Sequence, residues 1–209
     1  MTLTPLCTPE LSVNSQNDAR VVAPVRCKRW SCPHCAQINR SKVIAKAIEG
    51  QPKRMLTLTI SSTDYPDAAE AAAKLKEGLR LLRLRLRRHP RYSDFPFIAI
   101  FEAHKSGAPH LHLLIRGTYI PWKWLTKAWK SITGSHHVDI RRVKGKKDAA
   151  RYVAKYLGKD VHKFEGCKRW WRSHDYAPAN DDEPEAQKEP SPWQRFHGNI
   201  DRLAQWLLL

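Results

Sequence analysis

Two short stretches hold side chains whose types and spacing suit phosphoryl chemistry. In "YVAKYLGK", residues 152–159, Tyr152 and Tyr156 stand four apart, and Lys155 and Lys159 each follow a tyrosine by three. On a helix, residues four apart share a face, so both phenols point one way and both ammoniums line the adjoining stripe. In "PHLHLLI", residues 109–115, His110 and His112 are two apart. On a strand that spacing sends both imidazoles to one face and turns Leu111 and Leu113 into a core. Two imidazoles so close suit a divalent metal. Each stretch taken alone also has a bland account: an aromatic pair packed beside a solvated lysine edge, and two surface histidines on a half-buried strand.

The two stretches explain each other. If Glu102 pairs across from His110 or His112, its carboxylate joins the imidazoles on one face. A pairing one residue out of step sends it to the other face. His104 and Asp139 are the reserves for a third ligand. A mixed nitrogen and oxygen site with open positions takes Mg²⁺ or Mn²⁺ and polarises a phosphodiester. A nearby tyrosine then attacks phosphorus as a covalent nucleophile, with lysine offsetting charge in the transition state.

The charge balance points to the same class of partner. Against 20 Asp and Glu the chain of 209 residues carries 37 Lys and Arg, a net charge of +17. Such an excess favours polyanions, nucleic acid first and membrane surfaces second. No stretch approaches about 20 apolar residues and the first 20 lack a signal-peptide pattern, so a cytoplasmic protein is expected. Five cysteines argue against a disulfide framework. Three of them lie in "CKRWSCPHC" as Cys27-x4-Cys32-x2-Cys35, a metal-like spacing. With Cys7 they make a four-thiolate set for a structural Zn²⁺; His34 is the alternative fourth ligand, and Cys167 stays unassigned.

The elements that must position these groups follow from periodicity. Residues 1–35 show little of it and are expected to be loops organised by a metal. A helix is expected over 37–50, a half-buried strand over "RMLTLTIS" (54–61) and a long helix over 67–88. That helix carries Leu75, Leu79, Leu82 and Leu86 as a core stripe and Lys76, Arg80, Arg83 and Arg87 on the next face. "FPFIAIFEAH" and "PHLHLLIRG" form two strands of a hairpin. "PWKWLTKAWKSITG" follows as a helix with Trp122, Trp124 and Trp129 as core residues, then the strand "HHVDIRRV", then the tyrosine helix. Residues 177–192 carry five acids, one lysine and four prolines and read as an extended linker. An apolar helix closes the chain. The order implies an α+β fold with a central antiparallel sheet carrying the His-x-His pair and flanking helices. Four regions result: a cysteine region (1–50), a nuclease domain (51–176), the linker (177–192) and the C-terminal helix (193–209).

"RMLTLTIS", "FEAHKSGAPHLHLLIRG" and "DAARYVAKYLGK", in that order, resemble the three motifs of the HUH endonucleases. Among these the chain resembles the rolling-circle replication initiators of small plasmids and single-stranded DNA phages, two-tyrosine branch. "RCKRWSCPHC" with the earlier Cys7 is similar to the cysteine cluster that precedes the first motif in many plasmid initiators. The resemblance implies that His110 and His112, with Glu102, bind the catalytic Mg²⁺ or Mn²⁺. It implies that Tyr156 and Tyr152 are alternating nucleophiles supported by Lys155 and Lys159. One tyrosine would cut single-stranded origin DNA, keep the 5′ phosphate and free a 3′-OH primer. The other would attack the regenerated origin so that the displaced circle is resealed. No Gly-x4-Gly-Lys-Ser/Thr loop is present, so unwinding is expected of a host helicase and extension of a host polymerase.

For DNA binding, the basic face Lys76, Arg80, Arg83 and Arg87 is one candidate, against a plainly solvated face. "KRWWRS" interleaves Arg169, Trp170, Trp171 and Arg172, a fitting surface for bases that stack on indoles. The rival readings are an HUH transposase or relaxase, and a non-catalytic zinc-dependent nucleic-acid-binding regulator. The regulator leaves the histidine and tyrosine pairs without a purpose.

Overall fold

The computed structural model describes residues 11–14, 21–24, 26–61, 63–104, 107–159, 164, 166–176, 194–196 and 200–208. Cys7 and the acidic segment 177–192 lie outside them. The chain divides into two compact units, residues 40–181 and a smaller one made of 1–39 and 182–209.

The larger unit is built on a five-stranded antiparallel sheet in the order β6-β3-β5-β4-β7. Its strands are β3 (Arg54–Thr59), β4 (Phe97–Ala103), β5 (Pro109–Ile115), β6 (Val138–Arg142) and β7 (Trp170–Arg172). The fold class is the expected one, α+β with a central antiparallel sheet. β5 lies between β3 and β4, so both of its edges are hydrogen-bonded, and every residue of β4 is buried. On one face Leu56, Leu58, Ala99, Phe101, Leu111 and Leu113 join a single apolar core.

That core is closed by α2 (Ala68–Arg87), whose Leu75, Leu79, Leu82 and Leu86 are all buried. Full burial of each leucine contributes about 1.5–3 kcal/mol. Asp67 caps the helix by accepting the Glu70 amide at 2.8 Å. Gly78 lets α3 (Trp122–Thr133) cross close by, since a Cβ there would stand 2.8 Å from the Trp129 ring. Gly134 ends α3 in the left-handed conformation, φ 82°. Of the three tryptophans placed in the core, Trp129 is fully buried and donates its indole N–H to the Thr59 carbonyl at 2.8 Å. Trp124 packs at the core edge, but Trp122 is 49 % exposed. It sits on the first residue of α3 with its indole N–H on the Val138 carbonyl, which the three-and-four spacing does not reveal.

α1 (Pro33–Glu49) begins four residues before the expected helix, because proline suits a first helical position. At its far end Tyr176 lies under Gly50 and donates its hydroxyl to the Ala47 carbonyl at 2.8 Å.

In the smaller unit, the stretch expected to be loops contains β1 (Leu11–Asn14) and β2 (Val21–Pro24). They pair antiparallel, and β1 also pairs with β8 (Gln194–Phe196). The closing segment is therefore that strand followed by α5 (Ile200–Leu208), not one helix. Strands of three or four residues are too short to show a period. Among the described residues no helix is long and apolar enough to cross a membrane.

Candidate active site

The sheet face opposite the leucine core carries the chemistry. β4 and β5 pair Glu102 with His110 and Ile100 with His112. Glu102, His110 and His112 therefore share a face, the register the sequence left open. On the other side of β5, Thr57 stands opposite His112 and Thr59 opposite His110. α4 (Lys146–Leu157) lies over this face, burying Ala149, Val153, Tyr156 and Leu157. The same helical face brings Tyr152 in, half-buried.

The contacts are close and directional. His112 Nε2 stands 2.6 Å from Glu102 Oε2, both groups buried. An ionised carboxylate only accepts, so Nε2 carries the proton in this state. The other nitrogen, Nδ1, then accepts from the Thr57 hydroxyl at 3.0 Å. His110 Nδ1 meets Thr59 Oγ1 at 2.8 Å. Lys159 donates to the second oxygen of Glu102. The Tyr156 ring stacks on His112 with centroids 3.6 Å apart, and the Tyr152 hydroxyl lies 3.3 Å from His112 Nδ1 and 3.4 Å from Thr57 Oγ1. The two phenol rings meet edge to face at 4.7 Å. Lys155 and Lys159 lie 5.3 and 5.7 Å from the Tyr156 ring centre.

Electrostatics sort these groups. Burial works to raise Glu102, but its hydrogen bonds to His112 and Lys159 and their charges hold it down at about 2. Burial, with the neighbouring His112, pushes His110 down to about 4. Burial pushes His112 down too, against the pull of Glu102. The resting state is thus a carboxylate, two neutral imidazoles and one lysine cation. Burial raises both phenols. At Tyr156 the charges of Lys159 and Arg141 oppose that rise, whereas at Tyr152 the neighbouring Tyr156 and Asp139 add to it.

By residue type the donor set suits a divalent metal: threonine hydroxyls occupy Nδ1 of both histidines and leave each Nε2 for a ligand bond, with the Glu102 carboxylate beside His112. The donors are not drawn together as they stand, with the two imidazole centroids 6.3 Å apart. Ligation would require Nε2 of His112 to give up its proton and Glu102 to exchange its present partners. Of the reserve ligands, His104 is exposed with its ring 5.4 Å from His110. Asp139, across from Thr57 on β6, pairs with Arg141 at 2.8 Å.

Elsewhere, Cys27, Cys32 and Cys35 bring their sulfurs within 4.8 Å of one another, with Cys27 and Cys35 at 3.7 Å. This cluster is able to bind a metal. The residues assigned to DNA contact are dispersed. Arg80 forks onto Glu77 at 2.6 and 2.7 Å, Arg83 pairs with Asp175 at 2.8 Å, and Lys76 and Arg87 are exposed on α2. Arg169 donates to the Leu157 and Lys159 carbonyls at 3.0 and 2.9 Å, tying the end of α4. Trp170, Trp171 and Arg172 form the half-buried edge strand β7. Sequence reasoning did not single out Thr57, Thr59 or Arg141. The hydroxyls were visible as the polar half of a strand alternation, and their partner strand was the missing information.

Residues 53–161, just over half of the chain, match the family model for the replication-associated protein ORF2. The match contains all three sheet strands and the helix that build this site. No curated protein and no solved structure matches the chain.

Proposed function

The chain belongs to the replication-associated protein ORF2 family, a rolling-circle replication initiator-type protein with a role in replication initiation, and from that premise we propose that it nicks and rejoins single-stranded DNA through a two-tyrosine HUH mechanism. The observation that carries this reading is the placing of both phenols against His112, on the face that holds His110 and Glu102.

A bound Mg²⁺ or Mn²⁺, held by His110, His112 and Glu102, would supply Lewis-acid polarisation of the scissile phosphate. Thr57 and Thr59 hold both imidazoles through Nδ1, leaving each Nε2 for the metal. The Tyr156 oxygen attacks phosphorus in line, the bond from phosphorus to the 3′ oxygen breaks, and the phenol proton ends on that oxygen. The 5′ phosphate stays on tyrosine as a diester. Lys155 and Lys159 flank the ring and offset charge in the transition state. Tyr152, within reach of the same imidazole, then attacks the regenerated junction, and the freed 3′-OH reverses the first ester. Host helicase and polymerase act on the nicked origin. Cys27, Cys32 and Cys35 would hold a structural Zn²⁺; Cys7, the fourth thiolate expected from the sequence, lies outside the described residues.

The test is incubation with labelled single-stranded oligonucleotides spanning the origin, with Mn²⁺, resolved on a denaturing gel. A covalent protein–DNA band is expected, lost with EDTA and in Tyr152→Phe/Tyr156→Phe but surviving in one single variant. Binding without a covalent band would replace this reading by that of a non-catalytic nucleic-acid regulator.

A further inference from the structure

A cavity of about 620 Å³ opens beside β7, between the edge of the sheet and the outer face of α2. It lies on the leucine-core side, away from the histidines and tyrosines. Trp171 pairs with Ala99 of β4 and turns its indole toward that side, against the core and the Phe101 ring at 5.3 Å. Lys76, Arg80, Arg83 and Arg172 line the cavity together with Phe97 and Trp171, and among the described residues Glu77 is the one carboxylate in the lining.

An apolar ring surface rimmed by cations is the chemistry that takes a nucleobase with its phosphates. The ion pairs already present do not close it. Arg80 and Glu77 are 59 and 50 % exposed at their side chains, and a pair so exposed is weak enough for a phosphate to compete with it. The Arg83 guanidinium is held 5.5 Å over the Phe97 ring while it reaches Asp175, which keeps one cation fixed at the rim. Neighbouring residues of β7 alternate between faces, so Trp170 leans toward the active-site side and Trp171 toward the cavity. β7 is the edge strand, next to the strand that carries Glu102. A flexible single strand is able to turn around that edge; a duplex with stacked bases is not.

We propose that this cavity is a second binding site for single-stranded DNA, seating one base against Trp171 and its flanking phosphates on Lys76 and Arg80. The proposal rests on single-stranded DNA being the substrate of the site on the other face.

The experiment measures binding of a fluorescein-labelled oligo-dT to the full chain in EDTA by anisotropy, over a salt series. Lys76→Gln/Arg80→Gln changes two exposed side chains of α2 and is expected to keep the wild-type melting curve. Its affinity should fall about tenfold, and its salt slope should shrink by about 1.4, the value for two phosphates on a single strand. An oligonucleotide carrying 5-iododeoxyuridine should photo-cross-link to the peptide containing Trp171. Affinity and slope within twofold of wild type, or cross-links confined to α4, would overturn the proposal. Failure here is separable from failure of the nicking mechanism. The wild-type covalent adduct formed with Mn²⁺ reports nicking, while oligo-dT binding in EDTA, where no adduct forms, reports the cavity, so either reading can fail without the other.

Discussion

The Tyr156 ring lies flat on the His112 imidazole, with centroids 3.6 Å and planes 20° apart. Tyr152 meets the same imidazole edge-on, at 6.0 Å and 85°. The two phenols are therefore not equivalent. Lys155 and Lys159 flank the Tyr156 ring, and the charges of Lys159 and Arg141 oppose the rise that burial imposes on its phenol, while Asp139 adds to the rise at Tyr152. Tyr156 should make the first cut. Tyr156→Phe is expected to lower the first cleavage by on the order of 10³ or more, whereas Tyr152→Phe should cut at near the wild-type rate and fail in the second transfer. Single-turnover gels with a suicide substrate measure both steps, and a first adduct that depends on Tyr152 would refute the order.

Thr57 and Thr59 hold Nδ1 of the two histidines, and partners of that kind set both ring orientation and ligand basicity. Thr57→Val/Thr59→Val keeps shape and strand propensity while removing both hydroxyls. Mn²⁺ affinity by calorimetry should drop about 10–100-fold with the circular dichroism spectrum unchanged. Affinity within threefold of wild type would show that the threonines are packing residues only.

Much of this site was legible because its spacings are local. Two-residue spacing placed His110 with His112, and four-residue spacing placed Tyr152 with Tyr156, since each lies within one element. The partnership of Glu102 was not legible, because it depends on how many residues the hairpin turn consumes, and a shift of one reverses the face. The threonines depended on which strand neighbours β5, a matter of topology. Arg169 has a role that spacing did not reveal: one nitrogen of its guanidinium donates to the carbonyls that end α4. The α2 leucines were plain because a 20-residue helix repeats its stripe several times, while the four-residue strands of the smaller unit never complete a pattern.

The three clustered thiols make metal content a direct test of the smaller unit. Native mass spectrometry of the chain should show one zinc, displaced by a mercurial reagent. Cys35→Ser removes the clustered thiol on the first turn of α1 and should take occupancy close to zero. A wild-type chain free of zinc after purification in zinc-supplemented medium would leave the cysteines as incidental thiols.

Arg169 donates from one nitrogen to the Leu157 and Lys159 carbonyls, groups that a helix end leaves without intrahelical partners. Arg169→Ala should therefore destabilise the fold by about 1.5–3 kcal/mol, the range for hydrogen bonds to a charged group. Arg169→Lys should recover part of it. Urea midpoints decide the matter, because a residue that served DNA alone would lower oligonucleotide affinity and leave the midpoint where it was.

Glu102 links the site to acid stability. Its carboxyl is held at about 2, below the 4.5 of a free glutamate, chiefly against burial by His112 and Lys159. A carboxylate depressed on folding contributes stability that is complete above the unfolded value and is lost as pH falls through the folded one. The contribution of Glu102 in EDTA should therefore be full above pH 4.5 and disappear between 4.5 and about 2. Glu102→Gln keeps size and one hydrogen-bond acceptor but carries no titrating charge. The gap in denaturation midpoint between wild type and Glu102→Gln should be widest near pH 5 and close steadily as pH approaches 2. Lys159→Met should narrow that gap at pH 5, because the buried carboxylate loses its cation and sits higher on the pH scale. A gap that stays constant from pH 5 to 2.5 would mean that Glu102 is already protonated in the resting fold. The carboxylate–imidazole–lysine arrangement would then be wrong at its first member.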